Sequence, residues 1–363
     1  MRYLIEIVFT VLLVTALVDG QHQGSHCTLK HIGRAGVCTP FANCESALQA
    51  ASKGRLPQRC DLTDIESELV CCTKADCSPL RHVLLPPGFK AASYCIELAE
   101  KMHPCQETRT GWTRGDMCTL LTPVSKRVYY KSPITTAAEA PYFGYLGEGQ
   151  RSAINWKAYP VSLVSDQWVL CSAFAIKQIN TNKLLFVGLG GTVGPSSDDT
   201  YGVTTLYIHP LFKSSYSDVY NDIALIKLDR QVTFTDRIQP ACLHTGRPIP
   251  DRGLVLTDYP GEKTSMERIW QVGCTKLIPA GKPYHPAGVN HDLQICTRPV
   301  NTSGKCEGWF DGAPLTIPVA CTHLLVGLKS FYDTSPCTLA YTRISSYISW
   351  IEGFVWPDIN FAS

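Results

Sequence analysis

The chain of 363 residues carries 33 lysines and arginines against 31 aspartates and glutamates, a formal net charge of +2. A charge this close to zero gives no electrostatic reason to expect a nucleic acid or an anionic membrane as a partner. Hydrophobic residues make up 45% and charged residues 18%, which suits a folded core and excludes a chain disordered through its composition. The 17 cysteines, an odd number, indicate an oxidising compartment and one thiol left unpaired or bonded to another chain.

The first twenty residues have the features of a secretory signal peptide. Arg2 supplies a positive start, an apolar run extends from Ile5 to Val18, and Gly20 is a small residue at a suitable cleavage point. The run is shorter than the ~20 apolar residues that span a bilayer. We therefore expect residues 1–20 to be removed and the mature protein to be secreted, with no membrane span. The sequon at Asn301 predicts N-glycosylation.

A cysteine-rich segment follows at residues 27–72. It contains six cysteines and ends in an adjacent pair, at positions 27, 38, 44, 60, 71 and 72. Adjacent cysteines rarely bond to each other, so Cys71 and Cys72 should reach different partners. The segment is too short to fold on apolar burial alone, and three disulfides would stabilise it by about 2–4 kcal/mol each. Spacing leaves the pairing open; a zinc site is the disfavoured alternative, because no Cys-x2-Cys pair is present.

The order and spacing of these cysteines, with Gly36 shortly before the second, resemble the clip domain that precedes the protease domain in many arthropod secreted serine proteases. The resemblance implies three disulfides, Cys27–Cys71, Cys38–Cys60 and Cys44–Cys72. It also implies a docking and regulatory role, because clip domains act by binding.

We predict that residues 73–130 form a cysteine-containing linker. Prolines interrupt it, and no sustained strand pattern appears. Within it, apolar residues at helical spacing predict a helix from Ala91 to Met102 that docks by its apolar face. Four cysteines lie here, at positions 77, 95, 105 and 118, and we expect most of them to tether the linker to a neighbouring domain.

Residues 131–363 contain short β-rich runs separated by Gly, Pro, Asn and Asp, with a helix predicted near the end from Tyr347. Runs at this spacing predict an all-β barrel or sandwich. Four motifs, in order, resemble the trypsin-like serine protease family. They are residues 162–170, 221–228, 312–315 and 341–351. The resemblance implies a double six-stranded β-barrel with a C-terminal helix.

The resemblance also implies that the catalytic triad is lost. Phe174 stands at the position of the catalytic histidine, and Asp311, counted back from Pro314, stands at that of the serine. Asp222 remains at the aspartate position. Phenylalanine cannot accept a proton, so the general base is missing along with the nucleophile.

Three further departures from the family concern activation, specificity and bracing. Members of the family are activated by cleavage after a basic residue, but here the residue before Ile134 is Pro133. Phe310 stands in place of the aspartate that would pair with the new amino group. The position at the base of the specificity pocket is Gly304. The bridge beside the histidine is absent, with Tyr159 and Ala175 at the two cysteine positions.

For the other cysteines, the resemblance implies the pair Cys306–Cys337. It also implies that Cys242 pairs with a linker cysteine, Cys118 or Cys105, and that Cys296 pairs with Cys274, with Cys321 as the competing partner. Cys171 lies in a buried strand pattern and is the first choice for the unpaired thiol.

The resemblance predicts a non-catalytic serine protease homologue that acts as a binding cofactor or regulator in extracellular, haemolymph-like proteolytic cascades of innate immunity, of the prophenoloxidase/melanisation or Toll type. Active clip proteases, prophenoloxidase or a microbial surface would be its partners, without a cofactor or metal. Trp309 and Phe310 would either anchor a partner or fill the collapsed activation pocket.

Two other interpretations compete with this one. The first is a hydrolase with a rebuilt site, using Asp222 and Asp311 as a carboxylate pair or a relocated histidine, His209 or His244. The second is a purely structural matrix protein. The docking module ahead of the protease-like domain argues against the second.

Overall fold

A computed structural model describes residues 25–29, 34–40, 44, 47, 58, 60, 69–72, 88–102, 105–108, 111–114, 129–134, 136–190, 198–213, 219–245, 249–281, 285–300, 310–319, 322–334 and 337–357. The chain divides into two compact units, residues 1–79 with 100–116 and residues 80–99 with 117–363. The expected signal peptide, Asn301, Gly304 and Trp309 lie outside the described residues. No helix within the described ranges is long and apolar enough to cross a bilayer.

The smaller unit contains a three-stranded antiparallel sheet in the order β1-β2-β3, formed by β1 (His26–Leu29), β2 (Arg34–Pro40) and β3 (Leu69–Cys72). Its disulfides are Cys27–Cys71, Cys38–Cys60 and Cys44–Cys72, the pairs that the clip-domain resemblance implied. A Cβ on Gly36 would lie 2.5 Å from the carbonyl oxygen of Cys72, so only glycine fits there. A hairpin, β4 (Cys105–Thr108) and β5 (Gly111–Arg114), completes the described strands of this unit.

Three cysteine sulfur atoms in this unit, two from the sheet and one from Cys60 outside it, lie close together without forming a metal site. Those of Cys27, Cys60 and Cys71 are within 4.8 Å of one another. Each is bonded in a disulfide, so none offers a thiolate to a zinc ion.

Helix α1 (Phe89–Met102) occupies the linker segment, where the apolar spacing predicted a helix from Ala91. Ala91, Ala92 and Cys95 are buried, and Cys95 is bonded to Cys242 at the start of β13 (Cys242–Leu243). The expectation that Cys242 pairs with Cys118 or Cys105 is therefore wrong. The reason is helical geometry, because the apolar stripe that docks the helix turns Cys95 inward with it.

The larger unit begins with a closed barrel of six strands, in the order β10-β11-β12-β9-β8-β7. Its strands are β7 (Phe143–Gln150), β8 (Ala153–Leu163), β9 (Trp168–Cys171), β10 (Leu184–Leu189), β11 (Thr200–Ile208) and β12 (Ala224–Leu228). Aliphatic side chains fill the interior, among them Leu146, Val169, Val187 and Ile226. Cys171 lies in this core and is the free cysteine among the described residues.

A second ring of six strands follows: β14 (Leu254–Asp258), β15 (Glu262–Ile269), β16 (Gln294–Pro299), β17 (Pro314–Val319), β18 (Thr322–Thr334) and β19 (Cys337–Arg343). The pairings run β14-β15-β16-β19-β18-β17 and return to β14. β13 joins β18 in parallel, and β6 (Ser132–Pro133) joins β15. Cys274 and Cys296 are bonded, and Cys337 is disulfide-bonded, while Cys306 lies outside the described residues.

Short helices complete the larger unit: α2 (Ala173–Gln178), α3 (Gln271–Leu277) and the C-terminal α4 (Ile348–Val355). The two rings and α4 confirm the fold class predicted for residues 131–363. A continuous apolar cluster joins side chains of both barrels with α4, among them Phe143, Leu225, Leu328 and Ile351. Of the predicted triad positions, Phe174 lies in α2, Asp222 lies just before β12 and Asp311 lies just before β17.

Candidate functional site

Asp222 is the most completely buried carboxylate in the described part of the chain, with no exposed surface. It precedes β12 and follows Asn221, whose φ of 59° is a conformation that asparagine tolerates. Its carboxylate accepts hydrogen bonds from Ser330 Oγ at 2.6 Å, from the backbone N–H of Phe174 at 2.7 Å and from Ser172 Oγ at 2.8 Å. All three donors are hydroxyl or backbone groups, and none of them is an imidazole.

The electrostatic state of Asp222 follows from its burial. The pKa of the carboxyl group is raised to about 6; burial is the main cause and the charge of Asp311 adds to it, while the Ser330, Phe174 and Ser172 donors oppose the rise. The carboxylate is therefore ionised at neutral pH, because three donors replace the water that burial removes.

Phe174 lies in the first turn of α2, directly beside Asp222. Ser172 caps this helix, and its Oγ accepts a hydrogen bond from the Ala175 N–H at 3.2 Å while it donates to Asp222. The Phe174 ring is partly buried and carries no proton donor or acceptor. The backbone of residue 174 is thus bonded to the aspartate, but its side chain cannot exchange a proton with it.

Asp311 forms an ion pair with a buried lysine. Lys329 Nζ donates to Asp311 Oδ1 at 2.7 Å, with side-chain exposures of 2% for the lysine and 26% for the aspartate. Lysine is almost never this buried unless it is paired. Since Lys329 neighbours Ser330 on β18, one strand contacts both aspartates of the predicted triad positions.

Asp258, at the end of β14, is a second buried carboxylate. It accepts hydrogen bonds from the backbone N–H groups of Tyr259 at 2.7 Å and Phe310 at 3.0 Å. Burial raises its pKa to about 7, against the opposing effect of those two donors and of Lys329. The Phe310 ring packs edge-on against Tyr259, with the ring centroids 5.4 Å apart. Phe310 thus donates its backbone N–H to the carboxylate of Asp258. At this same position the family pattern has an aspartate, which would itself carry a carboxylate.

The segment before Ile134 lies along the edge of β15 as a continuous chain. Ser132 and Pro133 pair with Lys263 and Glu262, and the Ile134 N–H donates to the Gly261 carbonyl oxygen at 2.7 Å. The nitrogen of Ile134 is therefore an amide that is already hydrogen-bonded.

The histidines considered for a relocated site have structural surroundings. His209 packs edge-on against Tyr347 and Trp350, with ring centroids 5.0 and 5.1 Å away. His244 is buried, and its backbone N–H donates to the Leu325 carbonyl oxygen. The carboxylate of Asp222 takes its hydrogen bonds from hydroxyl and backbone groups instead.

The structure therefore brings the predicted positions 174, 222 and 311 together. Sequence reasoning missed four residues that complete the cluster, Ser172, Asp258, Lys329 and Ser330. The detectable signal was a charge at the end of an apolar strand pattern, as in Lys329 after residues 324–328 and Asp258 after residues 254–256. Such a charge is buried at a cost unless a partner meets it.

Comparison with known proteins finds one matching family and several similar proteins. Residues 148–351 match the model of the Trypsin family. The serine protease snk of Drosophila melanogaster is 27% identical over 93% of this chain and 80% of that protein. Phenoloxidase-activating factor 1 of Holotrichia diomphalia is 26% identical, over 61% of this chain and 68% of that protein. The CLIP domain-containing serine protease B15 of Anopheles gambiae is 26% identical, over 79% and 88%.

The family match covers more than half of the chain, and the two-barrel fold with its disulfide-rich N-terminal sheet agrees with it. The chain belongs to the trypsin family of serine proteases, in its clip-domain branch.

Proposed function

We propose that the protein is a secreted, non-catalytic member of this family that acts as a binding cofactor or regulator in an extracellular proteolytic cascade of innate immunity. The observation that carries the proposal is the set of donors to Asp222. Its carboxylate takes its hydrogen bonds from Ser172, Ser330 and the backbone N–H of Phe174, and the side chain at position 174 beside it is a phenyl ring with no imidazole to orient. Without an imidazole, no group at this site removes the proton of a nucleophile.

The position assigned to the nucleophile supports the same function. Asp311 is held in an ion pair with Lys329, and an ion-paired carboxylate is a poor attacking group. A carboxylate pair made of Asp222 and Asp311 would need one protonated and one ionised member. Asp311 is instead held in the ion pair with Lys329, and the three donors to Asp222 favour the ionised form of that carboxyl group.

The relatives suggest the type of pathway. One of them is named a phenoloxidase-activating factor and another a CLIP domain-containing serine protease. We infer a role in prophenoloxidase/melanisation or Toll-type cascades, with active clip proteases, prophenoloxidase or a microbial surface as partners. Residues 27–72 would be the docking module, 73–130 the linker and 131–363 the protease-like binding domain, after removal of residues 1–20.

The direct test is labelling of the purified, secreted protein with a serine-directed fluorophosphonate, together with turnover assays on arginyl, phenylalanyl and alanyl esters. We expect neither labelling nor turnover, while active trypsin under the same conditions shows both. Reproducible labelling of a defined serine would overturn the proposal.

Restoring the two missing triad side chains sharpens this test. The double variant F174H with D311S should remain at the background rate, because Phe310 and Pro133 are still in place and Lys329 loses its carboxylate partner. Esterase activity of this variant, measured against each single variant, would show that the rest of the site is competent. That result would weaken the proposal.

A further inference from the structure

The loop 310–313 is attached to the second barrel from both sides. On one side, the Phe310 N–H donates to Asp258 Oδ2 at 3.0 Å. On the other, Lys329 Nζ donates to Asp311 Oδ1 at 2.7 Å, the Gly312 N–H donates to the Lys329 carbonyl oxygen at 2.8 Å, and the Lys329 N–H donates to that of Ala313 at 2.8 Å. Both anchoring side chains belong to barrel strands and are almost fully buried, Asp258 at 4% and Lys329 at 2% exposure.

The backbone of this loop also has little room to move. Gly312 has φ of 92°, and a Cβ there would lie 2.8 Å from the carbonyl oxygen of Pro160 and 3.2 Å from the Ser172 nitrogen. The loop thus lies directly against β8 and against Ser172, the N-cap of α2 and a donor to Asp222. Its conformation decides the shape of the surface between the barrels.

The charges of Asp258 and Lys329 stabilise the loop only while the loop stays in contact with them. A buried ammonium group gains from its carboxylate only when the two are in contact, and leaving either unpaired is costly. The two N–H groups that meet Asp258 lie next to the same loop, so moving the loop would break an ion pair and a charge-assisted hydrogen bond together.

In the uncut chain, the segment 129–134 forms its hydrogen bonds with residues outside loop 310–313. The Ser265 N–H donates to the Tyr129 carbonyl oxygen at 2.8 Å, and the Ile134 N–H donates to that of Gly261 at 2.7 Å. No group of this segment is a partner in the loop contacts named above.

We propose that Asp258 and Lys329 form an internal clamp that holds loop 310–313 in its final conformation in the intact chain, so that cleavage of the linker is not needed to shape this surface. The clamp is a property of the fold and does not depend on whether the protein has catalytic activity. A partner that binds this surface would therefore bind the uncut and the cut protein with the same affinity.

Hydrogen–deuterium exchange of the full chain, followed on peptides that contain residues 312 and 313, tests the clamp. In the uncut protein both amides should be protected, and cleavage of the linker at an engineered protease site between Lys126 and Arg127 should change their exchange by less than about twofold. Protection that appears only after cleavage would overturn the proposal.

Two variants test the anchors themselves. Asp311→Asn removes the negative charge that pairs with the buried ammonium group of Lys329 and should speed exchange of these amides by about tenfold or more. Lys329→Met keeps the packing volume and leaves the partly exposed Asp311 to water, so it should fold and show the same acceleration.

The control is Glu267→Gln, which removes the partner of the exposed Arg298 and should leave the loop unchanged. Wild-type exchange in both Asp311→Asn and Lys329→Met would contradict the clamp, and Lys329→Met decides the test if Asp311→Asn does not fold.

Discussion

Single residues in this protein carry charge into places where apolar side chains usually lie. Asp222, Asp258 and Lys329 are each less than 5% exposed. Each is tolerated for a different physical reason: three donors around Asp222, two backbone N–H groups at Asp258, and an ion pair at Lys329. The burial of two carboxyl groups makes stability depend on pH.

Asp258→Asn should change that dependence in a defined direction. The pKa of Asp258 is about 7 in the folded protein against 3.8 in the unfolded chain. The folded state therefore keeps a proton that the unfolded state has lost, so this residue lowers stability as pH rises from about 4 to about 7. Asparagine cannot ionise, yet its oxygen can accept the N–H bonds of Tyr259 and Phe310.

The measurement is the free energy of unfolding in urea at pH 4.5 and pH 7.5. Relative to the wild type, Asp258→Asn should gain at least ~1 kcal/mol of stability between these two pH values. The control Asp251→Asn, at an exposed position, should follow the wild-type profile. A constant difference between Asp258→Asn and the wild type across this range would contradict the assigned pKa.

At the scale of elements, two helices that are far apart in sequence stabilise each other. Helix α1 begins beside the C-terminal helix: the Ala91 N–H donates to Glu352 Oε1 at 2.8 Å, and Lys90 Nζ donates to the Trp356 carbonyl oxygen at 2.8 Å. The Tyr94 and Trp356 rings pack 5.1 Å apart. The apolar stripe predicted α1 to within two residues at its start, since helical spacing is a local property. The partner of the stripe was not predictable from that spacing.

Trp356→Ala should reveal how much this contact stabilises the larger unit. The side chain is 5% exposed within the apolar cluster that joins the barrels, so its removal should cost about 3–5 kcal/mol. Trp270→Ala is the matched control, because that indole is 60% exposed and should cost less than about 1 kcal/mol. Urea unfolding of both variants decides the point, and equal losses would show that Trp356 does not stabilise the helix pair.

At the scale of the whole molecule, the disulfide Cys95–Cys242 bonds helix α1 to the strand β13 across 147 residues of sequence. The division of the chain into two compact units falls within α1, between Ala99 and Glu100. Any cut in the chain after α1 and before residue 129 therefore leaves both parts covalently joined.

Cleavage at an engineered site between Lys126 and Arg127 tests this connection. The product should run as one species without reductant and as two after reduction, and mass mapping should recover a linked peptide pair containing Cys95 and Cys242. In Cys95→Ala this peptide pair should be absent. Separation of the wild-type fragments without reductant would contradict the disulfide.

The sequence by itself determined the features that depend on residue order: the clip-like cysteine pattern, the β-rich domain and its four family motifs, and the residue types at positions 174, 222 and 311. The tertiary structure alone decided which residues meet them. Helix docking made Cys95 the partner of Cys242, and barrel closure brought Lys329 to Asp311 and Asp258 to the Phe310 N–H. Disulfides and buried ion pairs between distant residues depend on how faces pack, and packing is not a local property of the chain.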